Sequence, residues 1–321
     1  MAHLGTPMAL RVAATLRIAD HIAGGTRTAG DLAPLVRADA DALERLMRYL
    51  AARGVLSRDA AGAYDLTPKG ELLRDDHPDG MRSQIDIEGW TGRAELSFVH
   101  LLHSVRTGEA AYPLTFGRTF WEDMTAEPGL AASFDASMAA DMPVRAPAIA
   151  AAYDWGRLGH VVDVGGGDGS LLIALLNGHP ELRGTVVDQT ETAEAARKAL
   201  AAAGLADRGD AVPGTFFDPL PPGAGGYVLS LILHNWNDLA AGAILRRCAE
   251  AAGAGGSVFV VENVGPDGES PHTGMDLRML AYYGGKERGV TDLAGLGAGC
   301  GLMVAGVHPA GALSVVELTA R

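Results

Sequence analysis

Apolar positions recur along this chain in two rhythms, helical in the N-terminal part and strand-like after residue 160. Leu4, Met8, Leu10, Val12, Leu16, Ile18 and Ile22 fall at mixed helical spacings among small alanines, which predicts one helix over 4–23 with more apolar surface than a single face needs. Thr28 is placed to cap a short helix through Leu32 and Leu35, and Asp39 to cap a second carrying Leu43, Leu46, Met47 and Leu50. Val55-Leu56-Ser57 and Ala63-Tyr64-Asp65-Leu66 read as a small hairpin, after which Thr67-Pro68 opens another helix. Together these elements predict a winged-helix unit.

Residues 83–150 read as mostly helical and hold seven aromatic residues, Trp90, Phe98, Tyr112, Phe116, Phe120, Trp121 and Phe134, suited to core packing or to lining a pocket for a flat apolar ligand. From residue 161 apolar strands alternate with helical stretches, the signature of a parallel sheet covered on both faces. The strands expected are Val161–Val164, Gly184–Asp188, Ala211–Pro213, Tyr227–Leu233 and Val258–Glu262, closed by a hairpin of Leu302–Val307 and Leu313–Leu318. The expected fold class is therefore α/β, a seven-stranded sheet behind an N-terminal winged-helix unit, divided as 1–85, a helical linker 86–150, and 151–321.

Charge narrows the function classes. The net charge of −13 opposes a general affinity for nucleic acid or anionic membrane. Residues 1–82 carry 11 basic and 11 acidic side chains, and Asp39, Asp41 and Glu44 begin the helix that would have to enter a DNA groove, so a winged-helix regulator is disfavoured. The apolar excess of the first helix points instead to a homodimer joined through this domain. No basic-then-apolar leader and no apolar run of membrane-spanning length is seen, and two cysteines, Cys248 and Cys300, suggest no disulfide framework; the chain reads as cytoplasmic.

The candidate chemistry centres on Asp163-Val164-Gly165-Gly166-Gly167-Asp168-Gly169, a glycine-rich turn between a strand and a helix. Glycines let the backbone turn sharply and leave bare peptide for a ligand to lie against. The dinucleotide fingerprint is not met, because its sixth position is Ser170 counted from Gly165 and Leu172 counted from Gly167. A phosphate-binding loop needs a lysine there, and the chain's lysines are Lys69, Lys198 and Lys286. The turn alone fits either a cofactor cradle or plain packing. Asp188 ends the next strand, where a carboxylate accepts hydrogen bonds from ribose hydroxyls or simply caps the strand. His234 follows the fourth strand, Glu262 ends the fifth, and Glu287 lies in Gly284-Gly285-Lys286-Glu287-Arg288; two carboxylates beside a histidine suit general-base chemistry. Residue spacing shows no metal-ligand cluster.

Asp163–Gly169, Gly214-Thr215-Phe216-Phe217, Leu233-His234-Asn235-Trp236-Asn237-Asp238 and Gly284–Arg288, taken in order, resemble the S-adenosylmethionine (SAM) dependent O-methyltransferases of the caffeate and hydroxyneurate type, and more narrowly the bacterial branch acting on aromatic polyketides in antibiotic biosynthesis. The resemblance implies a Rossmann-like SAM-binding domain, His234 as general base held by Glu262 and Glu287, and SAM contacts from Gly165, Gly167, Asp188, Thr215, Phe216 and Ser230, with S-adenosylhomocysteine as product and no metal. It further implies a small aromatic phenol as substrate, a pocket roof of Met138, Met279 and Tyr283, and a residue of the partner protomer's first helix entering the site; Arg11 lies on that helix, and for an aromatic acid its planar fork suits it as the carboxylate's partner. Thr215 departs from the usual Asp, and Asn235 from the Asp of His-Asp-Trp. Some relatives keep the fold and SAM but hydroxylate or decarboxylate, which stays open as an alternative.

Overall fold

The computed structural model describes residues 3–265 and 267–320 and divides the chain into two compact units, Met1–Ser97 with Trp121–Phe134, and Phe98–Phe120 with Asp135–Arg321. The stretch 86–150 is thus shared between them.

In the first unit Thr28 and Asp39 cap their helices as expected, accepting hydrogen bonds from the Asp31 and Ala42 amides. Each such cap stabilises by about 1 kcal/mol. The second of these helices, Ala40–Ala52, buries Leu43, Met47 and Leu50 in a core shared with Ile18, Ile22 and Leu32. The hairpin forms from β1 (Leu56–Arg58) and β2 (Tyr64–Leu66), antiparallel, with Tyr64 fully buried. The single helix expected over 4–23 is corrected to two, Gly5–Thr15 and Ile18–Ala23. Arg17 between them adopts the left-handed region at φ 50°, and its guanidinium pairs with Asp20 and Asp75.

In the second unit β3 (His160–Val164), β4 (Arg183–Asp188), β5 (Gly209–Pro213), β6 (Gly226–Ser230), β7 (Ser257–Glu262), β8 (Leu302–Ala310) and β9 (Leu313–Ala320) form one sheet in the order β5-β4-β3-β6-β7-β9-β8. The first five run parallel, and β9 and β8 close the edge antiparallel. Alternation splits the core: Val161, Val228 and Val261 face one apolar cluster, while Val162, Leu229 and Val260 face the other. From β3 the chain winds outward to β4 and β5, and from β6 outward to β7, so the winding direction reverses between β3 and β6. Open α/β sheets bind ligands at the carboxyl edge of such a reversal.

The fourth strand is shorter than the apolar run predicts. β6 ends at Ser230, Leu231 takes φ 56°, and Leu233–Asn235 forms a 3-10 turn. A left-handed non-glycine residue costs roughly 1–2 kcal/mol, so the surrounding packing must hold it. Among the described residues no helix is long and apolar enough to cross a membrane. Both cysteines are free, Cys248 buried and Cys300 partly so.

Candidate active site

At the reversal point β3 runs into the glycine turn, where Gly165, Gly167 and Gly169 take φ of 73°, 59° and 80°. Each role in the turn differs. A Cβ on Gly166 would lie 2.5 Å from the Asp163 carboxyl group, while one on Gly167 would meet nothing within 4 Å, so that backbone faces open space. Asp188 reaches back over the turn, its Oδ2 accepting from the Gly167 amide at 2.9 Å and its Oδ1 from the Gln189 amide at 2.7 Å. A carboxylate has about four acceptor positions, so lone pairs remain for a ligand. Burial raises the Asp188 pKa, and the two amides offset part of that rise.

Two buried polar side chains near the turn have no hydrogen-bond partner among the described residues: the Asp163 carboxyl, with both oxygens, and the Ser230 hydroxyl. Asp163 pairs in register with Val228, two residues before Ser230, so both project from the same face of β3 and β6. Burial first, then the nearby Asp188 and Asp168, push the Asp163 pKa up to about 7. Asp163 is not among the site residues expected from the sequence; its one sign there is an acid inside the otherwise apolar Val161-Val162-Asp163-Val164. Phe216 stands over the turn, its ring 3.5 Å from where a Gly165 Cβ would be and 5.6 Å, edge-on, from Trp236. Thr215 is exposed and spends its hydroxyl within its own turn, accepting from the Phe217 amide at 3.1 Å.

Beyond Ser230 the 3-10 turn carries His234. Its Nδ1 lies 3.0 Å from Glu287 Oε1 and 3.4 Å from Glu262 Oε2, and its backbone amide donates to Glu262 Oε1 at 3.3 Å. Nε2 has no partner among the described residues, so the ring is held at one nitrogen and open at the other. Glu287 is itself fixed: its Oε2 accepts from Ser270 Oγ at 3.2 Å and lies 3.5 Å from Asn263 Nδ2, and its amide donates to Asp276. Burial disfavours a charged imidazole, but Glu262 and Glu287 outweigh it, and the His234 pKa is raised above the ordinary 6.5. Burial raises Glu262, with His234 pulling against it; at Glu287 the histidine, Ser270 and Asn263 overcome burial and the pKa is lowered.

The turn is clamped from below by Arg288, only 2 % exposed. Its guanidinium donates to the carbonyls of Leu233 and Trp236, both at 2.7 Å, and to Asp238 Oδ1. The Lys286 amide donates to the His234 carbonyl at 2.9 Å. No spacing in the sequence links Arg288, Asp276, Ser270 or Asn263 to His234.

The fold gathers potential ligand atoms that the sequence keeps apart. His234, Glu262 and Glu287, too far apart in sequence to suggest a cluster, bring potential ligand atoms within 4.8 Å of one another.

The proposed roof residues are placed unequally. Met279 is buried and Tyr283 half-buried on the helix Thr273–Tyr283, where the Tyr283 ring meets Phe120 edge-on at 4.7 Å. Met138 is 41 % exposed on the helix Pro128–Ala151. In the other unit, Arg11 Nη2 donates to Glu95 at 2.9 Å, and its Nη1 is buried without a partner among the described residues.

Two family patterns match this chain, an O-methyltransferase domain over residues 98–303 and an O-methyltransferase dimerisation domain over residues 1–76. The chain belongs to the O-methyltransferase family. Proteins similar to it include 2,7-dihydroxy-5-methyl-1-naphthoate 7-O-methyltransferase of Streptomyces carzinostaticus, 55 % identical over 100 % of this chain and 96 % of that protein. An O-methyltransferase from neocarzinostatin biosynthesis, solved with S-adenosylhomocysteine and 1,4-dihydroxy-2-naphthoic acid, superimposes with a TM-score of 0.93 at 55 % identity, covering 100 % of this chain and 97 % of that one. A third relative has another activity: aclacinomycin 10-hydroxylase of Streptomyces purpurascens is 42 % identical over 100 % of this chain and 89 % of that protein. This O-methyltransferase carries the glycine turn in a form that fits SAM: open backbone at Gly167, an acid with spare lone pairs at Asp188, an aromatic face at Phe216 and two unpartnered polar groups at Asp163 and Ser230.

Proposed function

We propose that this O-methyltransferase methylates a phenolic hydroxyl of a hydroxynaphthoate-type aromatic acid, with His234 as general base. The observation that carries the reading is the His234 ring itself, held through Nδ1 by two buried carboxylates with Nε2 open at the ligand edge of the sheet. SAM, when bound, supplies an electrophilic methyl group. On this reading Gly165, Gly167, Asp188, Thr215, Phe216 and Ser230 hold it, in a cytoplasmic enzyme whose N-terminal domain joins two copies. Aligning the phenol oxygen is the main contribution of the site. Proton removal by His234 Nε2 adds to it: a free phenol near pKa 10 and a free imidazole near 6.5 differ by roughly 5 kcal/mol, and the carboxylates narrow that gap by raising the imidazole. Incubation with methyl-labelled SAM and a panel of hydroxynaphthoic acids tests the assignment, the expected product carrying label on a phenolic oxygen. The hydroxylase relative makes a second reading specific: a hydroxylated product without label would replace methyl transfer by SAM-retaining hydroxylation.

The pH dependence has a definite sign. A base works only unprotonated, and the raised His234 pKa means that kcat/KM falls as pH drops through a value above 6.5. In Glu287→Gln one of the carboxylates that raise it is gone, so the acid limb is expected to move to lower pH. An unmoved limb would assign that titration to another group.

Arg11 is proposed as the partner of the substrate carboxylate, supported by its buried and unpaired Nη1 beside the Glu95 pair. Met138, Met279 and Tyr283 are proposed as pocket walls. Arg11→Ala is expected to raise KM for a carboxylated substrate by about 10- to 100-fold, the loss of one charge-assisted hydrogen bond, and to leave KM for a phenol lacking the carboxylate unchanged. Equal effects on both substrates would remove Arg11 from the site.

A further inference from the structure

We propose that His234, Glu262 and Glu287 also form an inhibitory site for a divalent transition metal of the zinc type, whose binding blocks methyl transfer. Three observations build the site. Each carboxylate has one oxygen tied away and one aimed at His234 Nδ1: Glu262 Oε1 accepts from the His234 amide and Glu287 Oε2 from Ser270, while Glu262 Oε2 and Glu287 Oε1 face the ring nitrogen. The free Glu262 oxygen belongs to a side chain 3 % exposed and has no hydrogen-bond partner among the described residues. The spacing also suits a metal. Zinc bonds to nitrogen and oxygen of about 2.0–2.2 Å place neighbouring tetrahedral ligands about 3.3 Å apart, and the two carboxylate oxygens stand 3.0 and 3.4 Å from Nδ1. One imidazole and two carboxylates supply two negative charges and a borderline nitrogen, a donor set suited to zinc or cobalt.

The chemistry makes such binding inhibitory. With neutral His234 the Nδ1 proton faces the carboxylates and the Nε2 lone pair is the base. A metal takes the Nδ1 lone pair, so the ring proton shifts to Nε2 and the position that should accept the phenol proton already carries one. No proton is gained or lost in that exchange. The metal is therefore an inhibitor, and a chelator is expected to restore activity and never to reduce it.

The test uses the full-length protein with Co2+ as a visible probe and Zn2+ as competitor, without aromatic substrate. The expected result is saturable one-to-one Co2+ binding with the intense visible absorption of a four-coordinate site, displaced by Zn2+. Ser270→Ala, which frees the far oxygen of Glu287, is expected to weaken binding about 10- to 100-fold, and Glu262→Gln to abolish it, both proteins keeping native circular dichroism. No saturable Co2+ absorption, or full absorption in Glu262→Gln, overturns the site. The block itself rests on His234 being the base: Zn2+ bound at the trio with undiminished methyl transfer overturns the inhibition and that role together, while leaving the binding data standing.

Discussion

His234→Ala is expected to lower kcat by about 10²- to 10⁴-fold, the range for removal of a positioned general base, with little change in the affinity for S-adenosylhomocysteine. The two halves of this expectation come from separate parts of the sheet edge. The glycine turn and Asp188 belong to β3 and β4, whereas His234 stands on the turn after β6, held by groups from β7 and from the loop before Arg288. Removing the ring leaves Glu262 and Glu287 without their shared partner, so one carboxyl is expected to take up a proton, and part of the fall in stability would be relieved at lower pH. Single-turnover rates with labelled SAM and a titration of S-adenosylhomocysteine check both halves. Full methyl transfer in His234→Ala would leave substrate alignment as the whole mechanism.

The second large effect is expected at a residue with no chemistry of its own. A Cβ on Gly285 would lie 2.1 Å from the His234 carbonyl oxygen and 2.7 Å from the Asn235 carbonyl carbon, both backbone atoms that cannot swing aside. Gly285→Ala must therefore displace the turn that carries His234. A misplacement of about 1 Å at a reacting group costs on the order of 100-fold in rate, and that fall is expected in kcat with S-adenosylhomocysteine affinity preserved. Gly178→Ala, where an added Cβ meets nothing within 4 Å, is the matched control and is expected to be silent. Equal activity of the two variants would show that the turn is not positioned by the Gly285 backbone.

The strands of the sheet could be read from the chain because buried parallel strands appear as short β-branched runs bounded by turns, as Val161–Val164 and Val258–Val261 do. Where reading failed, the deciding forces were distant. Leu231-Ile232-Leu233 continues the apolar run of β6, and nothing local ends it; the turn that follows Ser230 is held by Arg288, from more than fifty residues later, which donates to the Leu233 and Trp236 carbonyls. Likewise no glycine or proline separates Thr15 from Ile18, and the break there falls at Arg17, whose guanidinium reaches Asp75 from a distant segment. His234, Glu262 and Glu287 could be named by resemblance, but their mutual geometry could not, because it is assembled from three segments. The glycine spacing marks the turn as a candidate cradle; Asp163 stands out in the sequence only as an acid in an apolar strand, and that its carboxyl is buried without a partner among the described residues emerges from the fold.

The helix Thr273–Tyr283 bears on how freely such an enzyme can be redesigned. It carries the proposed wall residues Met279 and Tyr283, runs directly into the loop bearing Glu287, and is also tied to Glu287 by Asp276 near its start. On the proposed assignment selectivity and proton transfer share one mechanical part, and enlarging the wall at Met279 or Tyr283 is expected to disturb the carboxylate beside His234. Met138 sits on a different helix, and variation there escapes that linkage, which makes it the better first position for widening the range of accepted aromatic acids.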